Sequence, residues 1–168
     1  SRSTEFTVNG KAEAGVTRAG HYFEIHRQWR AGDHIGVKFD MTAQMLRANP
    51  LVREDAGRVA VERGPLVYCI ESPDQPGLTS LFDVELASPA EAFREEFRGD
   101  MLGGVTVLRH PGVVAEKPLA DEPLYRVAAE QGRTPVKPLE LTLIPYYAWA
   151  NRGLTAMEVW IPLLQDGR

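Results

Sequence analysis

Along most of this chain hydrophobic and polar residues alternate with the two-residue period of strands, not the 3.6-residue period of helices. Val59 and Val61 alternate with Arg58, Ala60 and Glu62, which predicts a strand with one wet face. Gly64-Pro65 interrupts it, because proline donates no ladder hydrogen bond and sits at strand starts, edges or bulges. Leu66 to Ile70 then carries almost no polarity, which predicts a central strand buried on both faces. Upstream, Phe6 and Val8 run into Asn9-Gly10, the end of a strand and a hairpin turn. Phe23, Ile25, Arg27 and Trp29 share one face of an alternating segment, with Tyr22, Glu24, His26 and Gln28 on the other. After a turn at Ala31-Gly32-Asp33, Ile35, Val37 and Phe39 alternate again, so 22–29 and 35–39 predict a hairpin. The strand pattern extends over Asp40 to Leu46. Asn49-Pro50, whose first residue is pushed towards extended or turn geometry, marks Arg47 to Pro50 as a boundary.

Downstream of a Pro-, Gly- and Ser-rich loop over 72–80, Phe82, Val84 and Leu86 predict a half-buried strand. Two signals compete over 88–98. Ser88, Pro89 and Glu91 resemble a capped helix start, while Phe93, Glu95 and Phe97 lie on one strand face; the alternation favours a strand over 92–98. Asp100 to Gly104 is a bend and Val105 to Leu108 a short β-rich run. His110 to Pro138, with five prolines, reads as a long irregular connection, unusual in a compact domain unless functional or packed on a neighbour. Leu139 to Ile144 is a further strand, ended by Pro145. A last strand covers Ala156 to Ile161, with Met157, Val159 and Ile161 on one face. Eight to ten short strands separated by turn signals point to an all-β fold of stacked antiparallel sheets, a jelly-roll-like sandwich.

Composition narrows the function classes. At 168 residues the chain is long enough for one domain or two small packed ones. A net charge of −4 with both signs mixed along the chain shows no basic stripe of the kind that neutralises phosphates, so nucleic acid is not an expected partner. No run of apolar residues reaches membrane-spanning length, and no membrane partner is expected. The chain opens abruptly in a strand, which reads as a fragment. One cysteine, Cys69, excludes an internal disulfide framework and any multi-cysteine zinc site within the chain. It falls in the buried run and reads as a small core hydrophobe.

The templates for catalysis find no match. His21, His26, His34 and His110 are scattered, and His21 and His26 point to opposite faces of a strand. Glu54-Asp55, Glu95-Glu96 and Asp121-Glu122 are adjacent pairs on surface segments and read as solvated charges, not as carboxylates facing each other across a cleft. The one distinctive polar-aromatic passage is PYYAWANRG, where Tyr146, Tyr147, Trp149, Asn151 and Arg152 crowd a turn before the last strand. Aromatic faces beside hydrogen-bond donors suit a sugar platform. The same residues suit a structural corner packed on a neighbouring layer or domain. Trp29 and Trp160 read as core or sheet-covering residues.

GRVAVERGPLVYCIE, LTLIPYYAWANRG and the closing MEVWIPL, preceded by VNG, HYFEIHRQWRAGDHIGVKFDM and MLRANPLVREDAG in that order, resemble glycoside hydrolase family 127, the β-L-arabinofuranosidase-like proteins. The resemblance implies a large (α/α)6 barrel followed by β-sandwich domains. In that family the barrel carries a nucleophilic cysteine, a zinc site of cysteines and a glutamate, and an acid/base glutamate. None of those motifs occurs here, and Cys69 matches the buried strand, not the nucleophile. The resemblance therefore implies a non-catalytic C-terminal β region, with residues 1–47 the tail of a first sandwich and 48–168 most of a second. No cofactor is expected in this chain. Its partner would be the barrel of the same polypeptide, with residues 146–152 as interdomain contact or, alternatively, as a carbohydrate-binding site. Exposed edges of the incomplete first unit would favour pairing with a second copy.

Overall fold

The computed structural model describes residues 4–13, 20–115, 125, 127 and 136–164. It is all-β, with helix confined to single 3-10 turns among the described residues, and mostly antiparallel; the bridge between Leu86 and Leu163 is parallel. The chain separates into two compact units, residues 1–43 with Arg63–Pro65, and residues 44–62 with 66–168.

The first unit is a three-stranded sheet in the order β2-β1-β3, made of β1 (Thr4–Val8), β2 (Lys11–Ala12) and β3 (Ile35–Phe39). Asn9 and Gly10, both at positive φ, turn β1 into β2. The expected hairpin between 22–29 and 35–39 does not form. β3 pairs instead with β1, from Thr4↔Phe39 to Val8↔Ile35, and residues 22–30 carry no ladder. The long-range pairing is fixed by Asn9, whose side chain accepts from the His34 N–H at 2.9 Å and donates to Asp33 at 2.8 Å. Segment 22–30 serves as cover: Phe23 stacks on Phe6 with centroids 4.0 Å apart. Trp29, expected as a core or sheet-covering residue, is 46% exposed beneath the Arg27 guanidinium. β3 stops at Phe39, because the Asp40 carboxylate accepts from both the N–H and hydroxyl of Thr42 and turns the chain. Gly64 has φ +58°, and a Cβ there would strike Met41 and the Asp40 carbonyl, which explains the Gly-Pro break.

The second unit is one sheet that closes on itself. Its strands are β4 (Ala43–Leu46), β5 (Arg58–Arg63), β6 (Leu66–Glu71), β7 (Val84–Leu86), β8 (Arg94–Arg98), β9 (Val105–Ala115), β10 (Val136–Pro145), β11 (Met157–Glu158) and β12 (Ile161–Pro162). The main order is β12-β5-β6-β10-β9-β7, with β4 on β5, β8 on β9 and β11 on β6. β12 then meets the far edge: Leu163 bridges Leu86, and the Leu164 N–H donates to the Leu86 carbonyl at 2.8 Å. Register puts Tyr68, Ile70, Leu108, His110, Leu141, Leu143, Val84 and Leu86 on the inner face, all fully buried. Each such large apolar side chain contributes about 2 kcal/mol.

Several boundaries differ from the pattern-based reading. Strand β9 runs on to Ala115 and β10 begins at Val136, so Pro111 and Pro138 lie inside strands. A proline forfeits a single ladder bond, and the Pro111 carbonyl still accepts from the Ala87 N–H at 3.0 Å. At Gly112 a Cβ would meet Leu141 and the Glu85 carbonyl, so the crossing of β7, β9 and β10 requires glycine. Phe82 is 66% exposed in a 3-10 turn capped by Ser80, and strand begins only at Val84. Strand wins over helix at 94–98, while the Ser88 hydroxyl caps only a turn by accepting from the Ala90 N–H. The last strand is broken in two, because Met157–Glu158 pairs with β6 and Ile161–Pro162 with β5.

Candidate functional site

The two distinctive passages, LVYCIE and PYYAWANRG, form one structure. Cys69 and Ile144 face each other across β6 and β10, on the side opposite the inner core. With Met101, Val105, Val107 and Ala148 they make a second buried cluster, flanked by Met157 and Val159. After Pro145 the chain turns through a 3-10 turn, Tyr146–Ala148, which drops Ala148 into that cluster. Residues 146–159 thus roof the central strands, which explains burial on both faces from Tyr68 to Glu71; Val67, by contrast, is 43% exposed.

Glu71 anchors the roof. Its carboxylate is fully buried. It accepts from the Ala150 N–H at 3.1 Å, and from the Thr155 hydroxyl and the Arg152 guanidinium. Arg152 also donates twice to Asp74, at 2.7 and 2.5 Å. Burial alone would raise the Glu71 pKa, but the bonds from Thr155, Arg152 and Ala150 outweigh it and hold the group below the ordinary carboxylate range. The Asp74 and Glu71 carboxylates raise the pKa of Arg152 despite its burial. Beside Glu71, burial and the nearby carboxylates push the Cys69 thiol up to about 12. A thiol raised this far keeps its proton at neutral pH. Ala150 has φ +60°, and this left-handed geometry aims its N–H at Glu71.

The structure brings all five aromatic-turn residues together and gives them two roles. Asn151 and Arg152 are exposed as residues, but their side chains are tied back to the protein. Asn151 donates to the carbonyls of Tyr147 and Trp149, at 3.1 and 3.3 Å, and Arg152 is held by Glu71 and Asp74. The Asn151 and Arg152 donors are thus already engaged within the protein. The rings face outward: Tyr146 is 46%, Tyr147 61% and Trp149 36% exposed, with Tyr146 and Trp149 stacked at 6.0 Å. Leu102, at φ +50°, stands 44% exposed next to Met101, which belongs to the same buried cluster as Ala148.

Glu54 and Asp55 sit in a 3-10 turn without buried residues. Glu96 is held by Arg109 at 3.0 Å. Asp121 and Glu122 lie outside the described residues. His26 contacts Glu24 at 3.0 Å on the surface. His110 was not foreseen as buried; its ring nitrogens lie 2.7 and 3.3 Å from the Pro111 and Glu91 carbonyls. Among the described residues no three His, Cys, Asp or Glu side chains converge as a metal site, and one cysteine does not fit a zinc site of cysteines. A second buried carboxylate, Glu158, pairs with Arg58 on the inner side of β11. Burial raises its pKa and Arg58 only partly offsets this.

Fold and site together define an all-β sandwich region whose most elaborate feature is a packed, outward-facing aromatic corner. Residues 43–162 match the glycoside hydrolase family 127 C-terminal domain, and residues 1–41 match the beta-L-arabinofuranosidase, GH127 middle domain. The chain belongs to glycoside hydrolase family 127. It is 42% identical over 163 residues to a non-reducing end beta-L-arabinofuranosidase of Bifidobacterium longum, an alignment covering 94% of this chain and 24% of that protein. Among solved structures it is similar to a GH127 beta-L-arabinofuranosidase from Geobacillus stearothermophilus T6, with TM-score 0.74, 33% identity, and coverage of 97% of this chain and 25% of that one. It is also similar to the GH127 beta-arabinofuranosidase BT3674, with TM-score 0.72, 36% identity, and coverage of 96% and 23%. The chain thus spans about a quarter of the length of these relatives.

Proposed function

We propose that this chain is the non-catalytic C-terminal β region of an arabinofuranosidase-like glycoside hydrolase, bracing a catalytic barrel carried by the rest of the same polypeptide. On this reading residues 1–47 are the tail of one sandwich and 48–168 most of the next. Catalysis, and any zinc that serves it, belong to the barrel. The observation that carries the reading is the split within the aromatic turn. Its polar groups lock the turn to Glu71 and Asp74, while Tyr146, Tyr147 and Trp149 are held rigidly towards the outside. An exposed aromatic surface beside Asn151 and Arg152 side chains that are already paired suits a protein neighbour with an apolar face.

Titration of the purified chain with arabinose-containing oligosaccharides tests this. The expected result is no saturable binding and no hydrolysis of arabinofuranosides. Saturable binding that disappears in Trp149→Ala would make the turn a carbohydrate site, and turnover by the chain alone would place catalysis within it.

A further inference from the structure

Two buried carboxylates flank the last strands, and they differ in how many donors reach them. Glu71, on the roof side, receives Ala150, Thr155 and Arg152. Glu158, on the inner side, receives Arg58 at Oε1, while its Oε2 is buried without a hydrogen-bond partner among the described residues. The Glu158 side chain is 8% exposed and that of Arg58 37%. Arg58 also donates to the Trp160 carbonyl at 2.7 Å, so its charge is divided and partly solvated. One such guanidinium does not replace the hydration that a buried carboxylate gives up. The raised pKa of Glu158 agrees with this. The pair also sits at a hinge. Glu158 ends β11, which pairs with β6, and Ile161 begins β12, which pairs with β5. Val159 and Trp160 form a bend between them without ladder bonds. Beyond the bend the chain closes the sheet, with the Leu163 N–H on the Gly57 carbonyl at 3.0 Å and the Leu164 N–H on the Leu86 carbonyl at 2.8 Å. So short a segment opens more easily than the long β9–β10 ladder.

We propose that Arg58 and Glu158 form a proton-operated latch on the strand that closes the sheet. With the Glu158 carboxyl protonated, Oε1 still accepts from Arg58, nothing charged is buried at the bend, and β12 stays seated between β5 and β7. With the carboxylate ionised, swinging out to water recovers its hydration, and residues 158–164 open locally. The other titratable groups on the elements packed against Glu158 are few. On β6, Glu71 points to the opposite face and Tyr68 donates its hydroxyl to the Thr106 carbonyl at 2.9 Å. On β5, Glu62 and Arg63 lie at the far end of the strand. The 3-10 turn Leu81–Asp83, which packs on β11, carries Asp83. The latch therefore tightens on mild acidification and loosens as pH climbs, the reverse of the Glu71 anchor.

Amide hydrogen exchange of the purified chain, read by peptide mass from pH 4.5 upward and corrected for intrinsic exchange, tests it. Protection over 158–164 should fall by up to about tenfold per pH unit, from the unfolded value of 4.5 to the raised folded value. A peptide from the β9–β10 ladder should hold its protection over the same range. Glu71, whose folded value lies lower, titrates below this window. Glu158→Gln removes the titrating proton and should leave protection over 158–164 independent of pH. Arg58→Gln removes the one charged donor, so the loosening should continue to higher pH than in the parent chain. Asp83→Asn should leave the parent profile unchanged. An equal slope in the parent chain and Glu158→Gln overturns the proposal. A slope abolished by Asp83→Asn overturns it too, since Asp83 is then the group that titrates. Loss of protection in step with the β9–β10 peptide also overturns it, because the opening is then global and not a latch.

Discussion

Cys69 and Glu71 sit two residues apart on the same strand face, and burial acts on them with opposite results. Burial, and then the Glu71 and Asp74 carboxylates, move the thiol up to about 12. The carboxylate receives bonds from Ala150, Thr155 and Arg152 and moves down in spite of the same burial. Removing Arg152 leaves a buried carboxylate short of its charged donor, so Arg152→Ala should cost about 3 kcal/mol, read as a shift of the urea midpoint at neutral pH. The sign of the pH dependence follows from linkage. A depressed carboxylate contributes stability that is complete above its unfolded value, 4.5 for Glu71, and is lost as pH falls through the lower folded value. Asp100, held at about 2 by Arg98, acts in the same direction from 3.8 downward. Glu158 works in reverse, since its raised pKa makes its contribution fade as pH climbs through the folded value. Glu71→Gln should therefore flatten the acid limb of the stability curve, as measured by denaturant midpoints between pH 5 and about 2.

Single strands are held by devices that a pattern of apolar residues does not reveal. β6 and β10 pair only through Tyr68–Ile70 and Leu143–Pro145. Beyond that point Gln75 takes the place of a strand: its amide donates to the Thr142 carbonyl at 2.5 Å and accepts from the Thr142 N–H at 3.2 Å. Gln75→Leu would strand a buried N–H and a buried C=O together, and should cost about 3 kcal/mol in chemical unfolding. Gln75→Glu separates the two halves of the bond, since a carboxylate can accept but not donate. Periodicity identified β3, β5, β6, β8 and most of β10, where residues alternate or run apolar. It failed at 22–29, which alternates but serves as cover, because alternation describes two faces and says nothing about a hydrogen-bonding partner. It failed again at Pro111 and Pro138, where neighbouring strands on a long ladder tolerate the lost donors.

For the molecule as a whole, the proposed bracing role of the aromatic corner predicts that stability and assembly can be separated. The rings of Tyr147 and Trp149 are substantially exposed, so their joint replacement by alanine should move the unfolding free energy of this chain by no more than about 1 kcal/mol. The same pair of substitutions in the full-length hydrolase should lower its melting temperature and its activity together; unchanged values there would detach the corner from the bracing role. The residues of this corner could be picked out from the amino-acid order, because aromatic residues beside Asn and Arg at a Pro-bounded turn are unusual. Their division of labour could not, since it depends on Glu71 and Asp74 from a segment far away in the chain. By itself the sequence determined the all-β class, most of the strands, the burial of Cys69 and the family, all of which rest on local periodicity or on residue order. Only the tertiary structure decided which strands pair, that the sheet closes through Leu86 and Leu163, and that the aromatic turn is a roof anchored on a buried carboxylate. Those outcomes depend on contacts between distant segments, where one side chain's bond is set by a partner that its own neighbours do not specify.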